Sequence, residues 1–310
     1  MQKNHHDGTI HKGAWAGVIG GAALWGTVGL FISPLTAIGF STMDIAMLRM
    51  VGAFLLMLPI LAYWKPGIFK LHKPTDILWF GLMGTVSLGL FQWCYLSAID
   101  ELGMSLAVVL LYTAPAMVVI MARFVFQEPI TRRKVTAICI MAAGCVFVLE
   151  LPSGTAGQIS TTGLLFGLGA GFSFALYNVT SKIVLQRYSV VTVTIYTFLF
   201  ASFGLIPFAD IYSTPQLLAS GSSWFWLGMI ILLSTIMAYG LYLGGLQKIE
   251  SGRATLAAVT ELLVAVLLGV IIAGDHFSFM MGGGVVLVVF AVLMISRGKA
   301  QKFHTAKTPH

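Results

Sequence analysis

Charge is what this sequence has least of. Only 9% of its 310 residues are Asp, Glu, Lys or Arg, 58% are hydrophobic, and the mean hydropathy is +0.91. A soluble domain carries about 25% charged residues, so no soluble domain fits here. The three cysteines, Cys94, Cys139 and Cys145, all lie inside apolar runs, and an odd set of buried thiols gives no disulfide framework. Enzyme signatures are missing as well. No pair of intramembrane aspartates, no Ser/His pair at membrane depth and no Walker sequence is present. His5, His6 and His11 lack the fixed spacing of a metal site, so no metal or other cofactor is expected. The net charge of +7 is read as charge on the cytoplasmic loops of a membrane protein, which leaves nucleic acid out as a partner.

What remains is a succession of apolar runs. They fall at about 14–33, 42–63, 76–98, 104–124, 133–150, 161–183, 190–209, 224–247, 253–273 and 278–296, with Pro34, Pro66, Pro74, Pro152 and Pro215 near boundaries. The first run lacks a small-residue cleavage site and is expected to remain as a helix. Seventeen of the 18 basic residues fall in the two tails or in the second, fourth, sixth and eighth connections. The positive-inside rule then puts both termini in the cytoplasm of a multi-pass inner-membrane protein.

Met104–Glu128 aligns without a gap on Ser251–Asp275, 147 positions later, and the register extends back through Trp79/Trp226, Ser87/Ser234 and Tyr95/Tyr242. Such self-similarity is the mark of a duplicated unit. Five helices per unit is an odd number, so the second copy must lie upside down relative to the first. The predicted fold is an all-α membrane protein with ten transmembrane helices in two inverted five-helix repeats. Its parts are a tail at 1–13, a first repeat at 14–150, a second at 161–296 and a tail at 297–310. Inverted repeats place a substrate site near the midplane where they meet.

Glu261 is the acidic residue that lies well inside a span. A carboxylate at that depth costs a few kcal/mol or more unless it is protonated, paired or facing water, and by default it marks a functional site. Trp25, Gln92, Trp93, Tyr95, Tyr112, Tyr177, Asn178, Tyr239 and Tyr242 also sit deeper than an interfacial aromatic belt. All except Trp93 are carried as substrate-site candidates with Glu261. Arg49, about seven residues into the second span, is expected to be structural, snorkelling outward or binding carbonyls at helix ends. Pro115 is expected to interrupt the fourth helix and free carbonyls toward a cavity. Glu128, near Arg132, and Asp275, beside His276, are expected at helix ends in boundary roles. Gly17/Gly21 and Gly163/Gly167/Gly171 read as packing seams.

Several stretches together resemble the EamA family of the drug/metabolite transporter superfamily. They are AALWGTVGLF at 22–31, MLRMVGAFLLML at 47–58 and SLAVVLLYTAPAMVVIMARFVFQEPIT at 105–131, then FALYNVTSKIVL at 174–185 and SGRATLAAVTELLVAVLLGVIIAGD at 251–275. The family usually has Glu-Pro where this chain has Glu261-Leu262, and Glu where it has Asp275. The resemblance implies ten helices, a central cavity formed by helices one to four and six to nine, and transport, often export, of amino acids or small metabolites. The expected partners are a small-molecule substrate, the lipid bilayer and, through Glu261, protons. Three other readings stay open: a sugar-phosphate or nucleotide-sugar exchanger, a membrane enzyme, and a scaffold. An exchanger would want several basic groups in the site, and only Arg49 lies at that depth.

Overall fold

The structure is a computed structural model. It describes residues 3–150, 160–210, 218–219, 221–274 and 276–296, without the side chains of 3–11, 105 and 273. The three tail histidines, the Asp275 position and the carboxyl tail therefore lie outside the described residues and side chains.

Among the described residues all regular structure is helical. Among these residues nine helices are long and apolar enough to cross a membrane: Lys12–Ile38, Thr42–Trp64, Asp76–Leu102, Leu106–Val125, Thr161–Leu185, Val190–Phe208, Gly221–Leu246, Ser251–Ile272 and Phe279–Ser296. The run expected at 133–150 forms a tenth, shorter helix, Arg132–Val148. Numbering these ten helices in chain order gives spans 1 to 10, with Arg132–Val148 as span 5.

Hydroxyl caps start several of them. Ser41 accepts from the Asp44 amide at 3.0 Å, and Asp44 accepts from the Ser41 amide at 3.1 Å, closing a reciprocal box at the head of span 2. Ser189 caps span 7, the matching helix of the second half, through the Thr192 amide. Ser160 and Thr131 cap spans 6 and 5.

The halves interlock rather than stand apart. Span 1 packs on span 8 and span 3 on span 6, so each cross-repeat pair is the other with the halves exchanged. Spans 2 and 7, 4 and 9, and 5 and 10 pack as mates. Small residues let backbones approach. A Cβ at Gly21 would lie 2.6 Å from the Ala238 carbonyl oxygen, and one at Gly284 2.6 Å from that of Gly144. Leu55, Phe124, Phe203, Ile271 and Phe290 are exposed and face where lipid would be.

The repeat is visible in the irregularities too. Spans 3 and 8 each widen into a π-helical stretch, Leu82–Gly89 and Leu232–Met237. In each, a hydroxyl donates to the carbonyl five residues back at 2.9 Å: Ser87 to Leu82, Thr235 to Ile230. Spans 4 and 9 are both interrupted. One breaks at Tyr112–Thr113, between Met104–Leu111 and Ala114–Val125. The other breaks at Val259, between Ser251–Ala258 and Thr260–Leu268. Tyr112 and Val259 are 147 positions apart, as are Thr113 and Thr260. Both threonines turn their hydroxyls back on the chain, Thr113 to the Leu110 carbonyl at 2.6 Å and Thr260 to that of Ala257 at 2.8 Å.

Candidate functional site

The interruptions decide where the chemistry sits. Pro115 lies in the first turn of the second half of span 4; it has no N–H to give the ladder, and the chain opens three residues before it. In span 9 no proline is present, yet the break falls at the equivalent place and leaves Glu261 in the first turn of Thr260–Leu268. That is the positive end of a half-helix dipole, a favourable place for a carboxylate. Tyr112 occupies the break opposite. Glu261 acts electrostatically on Tyr95, Tyr112, Tyr239 and Tyr242, and Arg49 is the charge that acts on Glu261. These groups come from spans 2, 3, 4, 8 and 9, so the half-buried Glu261 side chain faces the interior of the bundle.

A wall of rings adjoins it. Trp25 meets Tyr239 edge-on at 5.1 Å between centroids, Tyr242 at 4.8 Å and Phe174 at 6.5 Å. Tyr239 continues to Tyr177 at 6.0 Å and Phe198 at 5.4 Å, while Phe174 leads through Phe91 to Tyr95. Such contacts bring dispersion and preferred geometries without closing off every ring face. The Trp25 Nε1 is buried and has no hydrogen-bond partner among the described residues. Span 1 itself bends next to it, at Thr27, whose hydroxyl contacts the Leu24 carbonyl at 2.7 Å and the Ser234 hydroxyl at 2.9 Å. A Cβ at Gly26 would lie 2.5 Å from the Glu261 carbonyl oxygen, so spans 1 and 9 touch backbone to backbone beside the carboxylate.

The sequence candidates divide accordingly. Glu261, Trp25, Tyr95, Tyr112, Tyr239 and Tyr242 converge around the two breaks. Tyr177 and Asn178 are fully buried in span 6. Asn178 is committed internally: it accepts from the Tyr242 hydroxyl and donates to the Phe174 carbonyl at 2.8 Å. Gln92 is half-buried one residue from Phe91, and its neighbour Trp93 turns outward onto Phe166 and Phe208. Arg49, expected to be structural, has Tyr239 and Glu261 as its described neighbours. Its guanidinium sits against the Tyr239 hydroxyl, and its Nε is buried without a hydrogen-bond partner among the described residues. Asp44 is not its mate; Asp44 caps span 2 and accepts from the Asp210 amide at 2.8 Å.

A second constellation was not anticipated. Glu128 was expected at a boundary beside Arg132, but Arg132 is exposed and Glu128 is buried among lysines. Lys134 lies 2.8 Å from Glu250 and 3.6 Å from Glu128, Lys182 lies 3.6 Å from Glu128, and Arg253 lies 3.1 Å from Glu250. Glu128 accepts from the Ser251 amide at 2.9 Å, Lys134 donates to the Pro129 carbonyl, and Lys182 donates to the Ile249 carbonyl and lies over the Phe126 ring. Lys134, Lys182 and Arg253 all read as loop markers of topology in the sequence. The available signal was that Lys182 falls one turn past Asn178, inside an unbroken helix.

Known proteins share this plan. The uncharacterized inner membrane transporter YicL of Salmonella typhimurium is 23% identical over 96% of this chain and 100% of its own. The uncharacterized transporter YwfM of Bacillus subtilis is 27% identical over 93% of this chain and 95% of its own. A probable amino-acid metabolite efflux pump of Salmonella typhimurium is 23% identical over 85% of this chain and 92% of its own. A chain of known structure, described only as a crystal structure of a protein, superposes with a TM-score of 0.72 over 91% of this chain and 95% of that one, at 19% identity. That likeness speaks to the fold. The model of the EamA-like transporter family matches twice, over residues 12–150 and 161–297, one match on each half of the interlocked bundle. With two matched halves, a multi-pass helical fold and transporters as relatives, this chain belongs to the EamA-like transporter family of the drug/metabolite transporter superfamily.

Proposed function

We propose that the protein is a secondary transporter that exports small amphipathic amino acids or amines by alternating access. Both termini would lie in the cytoplasm, and residues 14–150 and 161–296 would form the two inverted repeats. The observation that carries this is the meeting of two broken helices, with Glu261 at one break and Tyr112 at the other, beside a wall of rings. Broken helices near the midplane present backbone dipoles and free carbonyls to a substrate without any metal or cofactor. Glu261 would take the ammonium group or the coupling proton, and Trp25, Tyr95, Tyr239 and Tyr242 would supply apolar surface and ring faces for a cation. Arg49, beside Tyr239, gives the same site a fixed positive group for a carboxylate. The name of the Salmonella typhimurium efflux pump supports amino-acid metabolites as the class. A sugar-phosphate exchanger would need several cations here; the other buried cations, Lys134 and Lys182, are held in ion pairs elsewhere.

The experiment is a thermal-shift screen of the purified protein against amino acids, amines, sugars and nucleotides, because a ligand that binds only the folded state raises its stability. Hits confined to amino acids or amines support the reading, and their loss in Glu261→Gln would assign the ammonium group to that carboxylate. Hits confined to nucleotides or sugar phosphates sink it.

A further inference from the structure

We infer that Glu128, Lys134, Lys182, Glu250 and Arg253 form the gate that must separate before the transport path opens at the basic end of the molecule. This rests on alternating access and on no particular substrate. Glu128 and Lys134 come from the first half, and Lys182, Glu250 and Arg253 from the second, so the charge pairs Lys134–Glu250 and Lys182–Glu128 cross between the halves. Relative movement of the halves at this end therefore stretches them. The backbone commits to the arrangement too: Gln127 is held at φ 57°, which turns the chain so that Glu128 points inward.

Buried ion pairs are poor stabilisers, because taking the charges out of water offsets most of their attraction. That near-balance is a liability in a static core and an advantage in a contact that opens, since entering water repays the separated charges. The opposite end is built differently. At the positions 147 residues from Glu250, Arg253 and Lys134 stand Gly103, Leu106 and Met281. The Lys134–Glu250 and Arg253–Glu250 pairs therefore have no repeat-related copy, and among the described residues they are particular to the basic end.

The geometry also supplies a lock. A Cβ at Gly252 would meet nothing closer than Val119, with 3.7 Å to the Val119 Cβ. That spacing suits a disulfide between spans 4 and 9. In a background lacking Cys94, Cys139 and Cys145, Thr255→Cys reports on access, since Thr255 is buried one turn beyond Ser251. The full-length protein is treated in inside-out vesicles with a membrane-impermeant maleimide, which needs no substrate and so separates failure of this gate from failure of the amino-acid reading. The gate predicts slow labelling that rises about tenfold or more with Lys134→Met, as the open population grows. Adding Val119→Cys/Gly252→Cys and oxidising should return labelling to the slow rate, and reductant should release it. Unchanged labelling in folded Lys134→Met overturns the gate. If Lys134→Met does not fold, the disulfide is tested with the native charges: oxidation should suppress the residual labelling, and an unchanged rate overturns the gate equally.

Discussion

Gln127 and Gly274 occupy the same place in the two repeats, 147 positions apart, and both have left-handed backbone, with φ of 57° and 75°. Glycine adopts that conformation freely and glutamine does not. Gln127→Gly should therefore raise unfolding stability by up to about 1 kcal/mol, and Gly274→Val should lower it by about 1–2 kcal/mol. Thermal unfolding in detergent reads both. A loss of stability in Gln127→Gly would show that the glutamine side chain holds the turn.

Glu261→Gln keeps shape and hydrogen bonding but cannot carry charge or a proton. If Glu261 couples protons, the variant should fold and bind yet lose pH-driven transport in proteoliposomes. If it receives an ammonium group, binding should weaken by about 2–5 kcal/mol, because the partner charge is left unpaired. Wild-type rate together with a wild-type pH profile would end any functional role for the carboxylate.

The pairing of Glu128 separates two neighbours by stability. Lys134→Met removes one partner from a buried cluster and should cost about 3–5 kcal/mol. Arg132→Ala, at an exposed side chain close in sequence, should stay within about 0.5 kcal/mol. Equal losses in chemical unfolding would mean that Arg132 shares the buried network.

The seam between spans 1 and 8 should tolerate no side chain. Gly21→Ala puts its Cβ 2.6 Å from the Ala238 carbonyl and 2.8 Å from the Tyr242 amide nitrogen, both backbone atoms. Overpacking of that kind costs about 1–3 kcal/mol. Gly240, with nothing within 4 Å of a Cβ, is the control: Gly240→Ala should be neutral or slightly stabilising. Similar melting temperatures for the two variants would argue against this close approach.

Orientation has its own check. A cysteine placed at Lys70 or Arg132 should react with an impermeant reagent only in inside-out vesicles. Labelling from the other side at either position would reverse the assignment of both termini to the cytoplasm.

Much of this was legible in the sequence because membrane helices are written in long apolar runs and their sides in lysine and arginine. The register linking Tyr95 to Tyr242 pointed to the duplication, and it recurs in structure at the paired breaks of spans 4 and 9. Pro115 signalled one break; the break at Val259 has no local marker and follows only from the repeat. Glu261 and the deep aromatics stood out because polar groups at that depth are costly. The charge cluster did not, because the rule that uses Lys134, Lys182 and Arg253 to count helices treats them as solvated. Whether a lysine at a helix end reaches water or folds under a neighbouring helix depends on packing between distant segments, which a single chain of letters does not spell out. The contact of Arg49 with Tyr239 was hidden for the same reason: the two are 190 positions apart.

Among the described residues, spans 5 and 10, which pack against each other, are also the two shortest, at 17 and 18 residues. At 1.5 Å per residue they reach about 25–27 Å, several ångströms less than a typical hydrocarbon layer of about 30 Å. Span 1, at 27 residues, reaches about 40 Å and must tilt or protrude. Such unequal lengths predict an uneven lipid collar, pinched beside spans 5 and 10 and relaxed or thickened elsewhere. A thin bilayer suits the pinched flank, and thickening the membrane loads mechanical stress onto that one pair of helices.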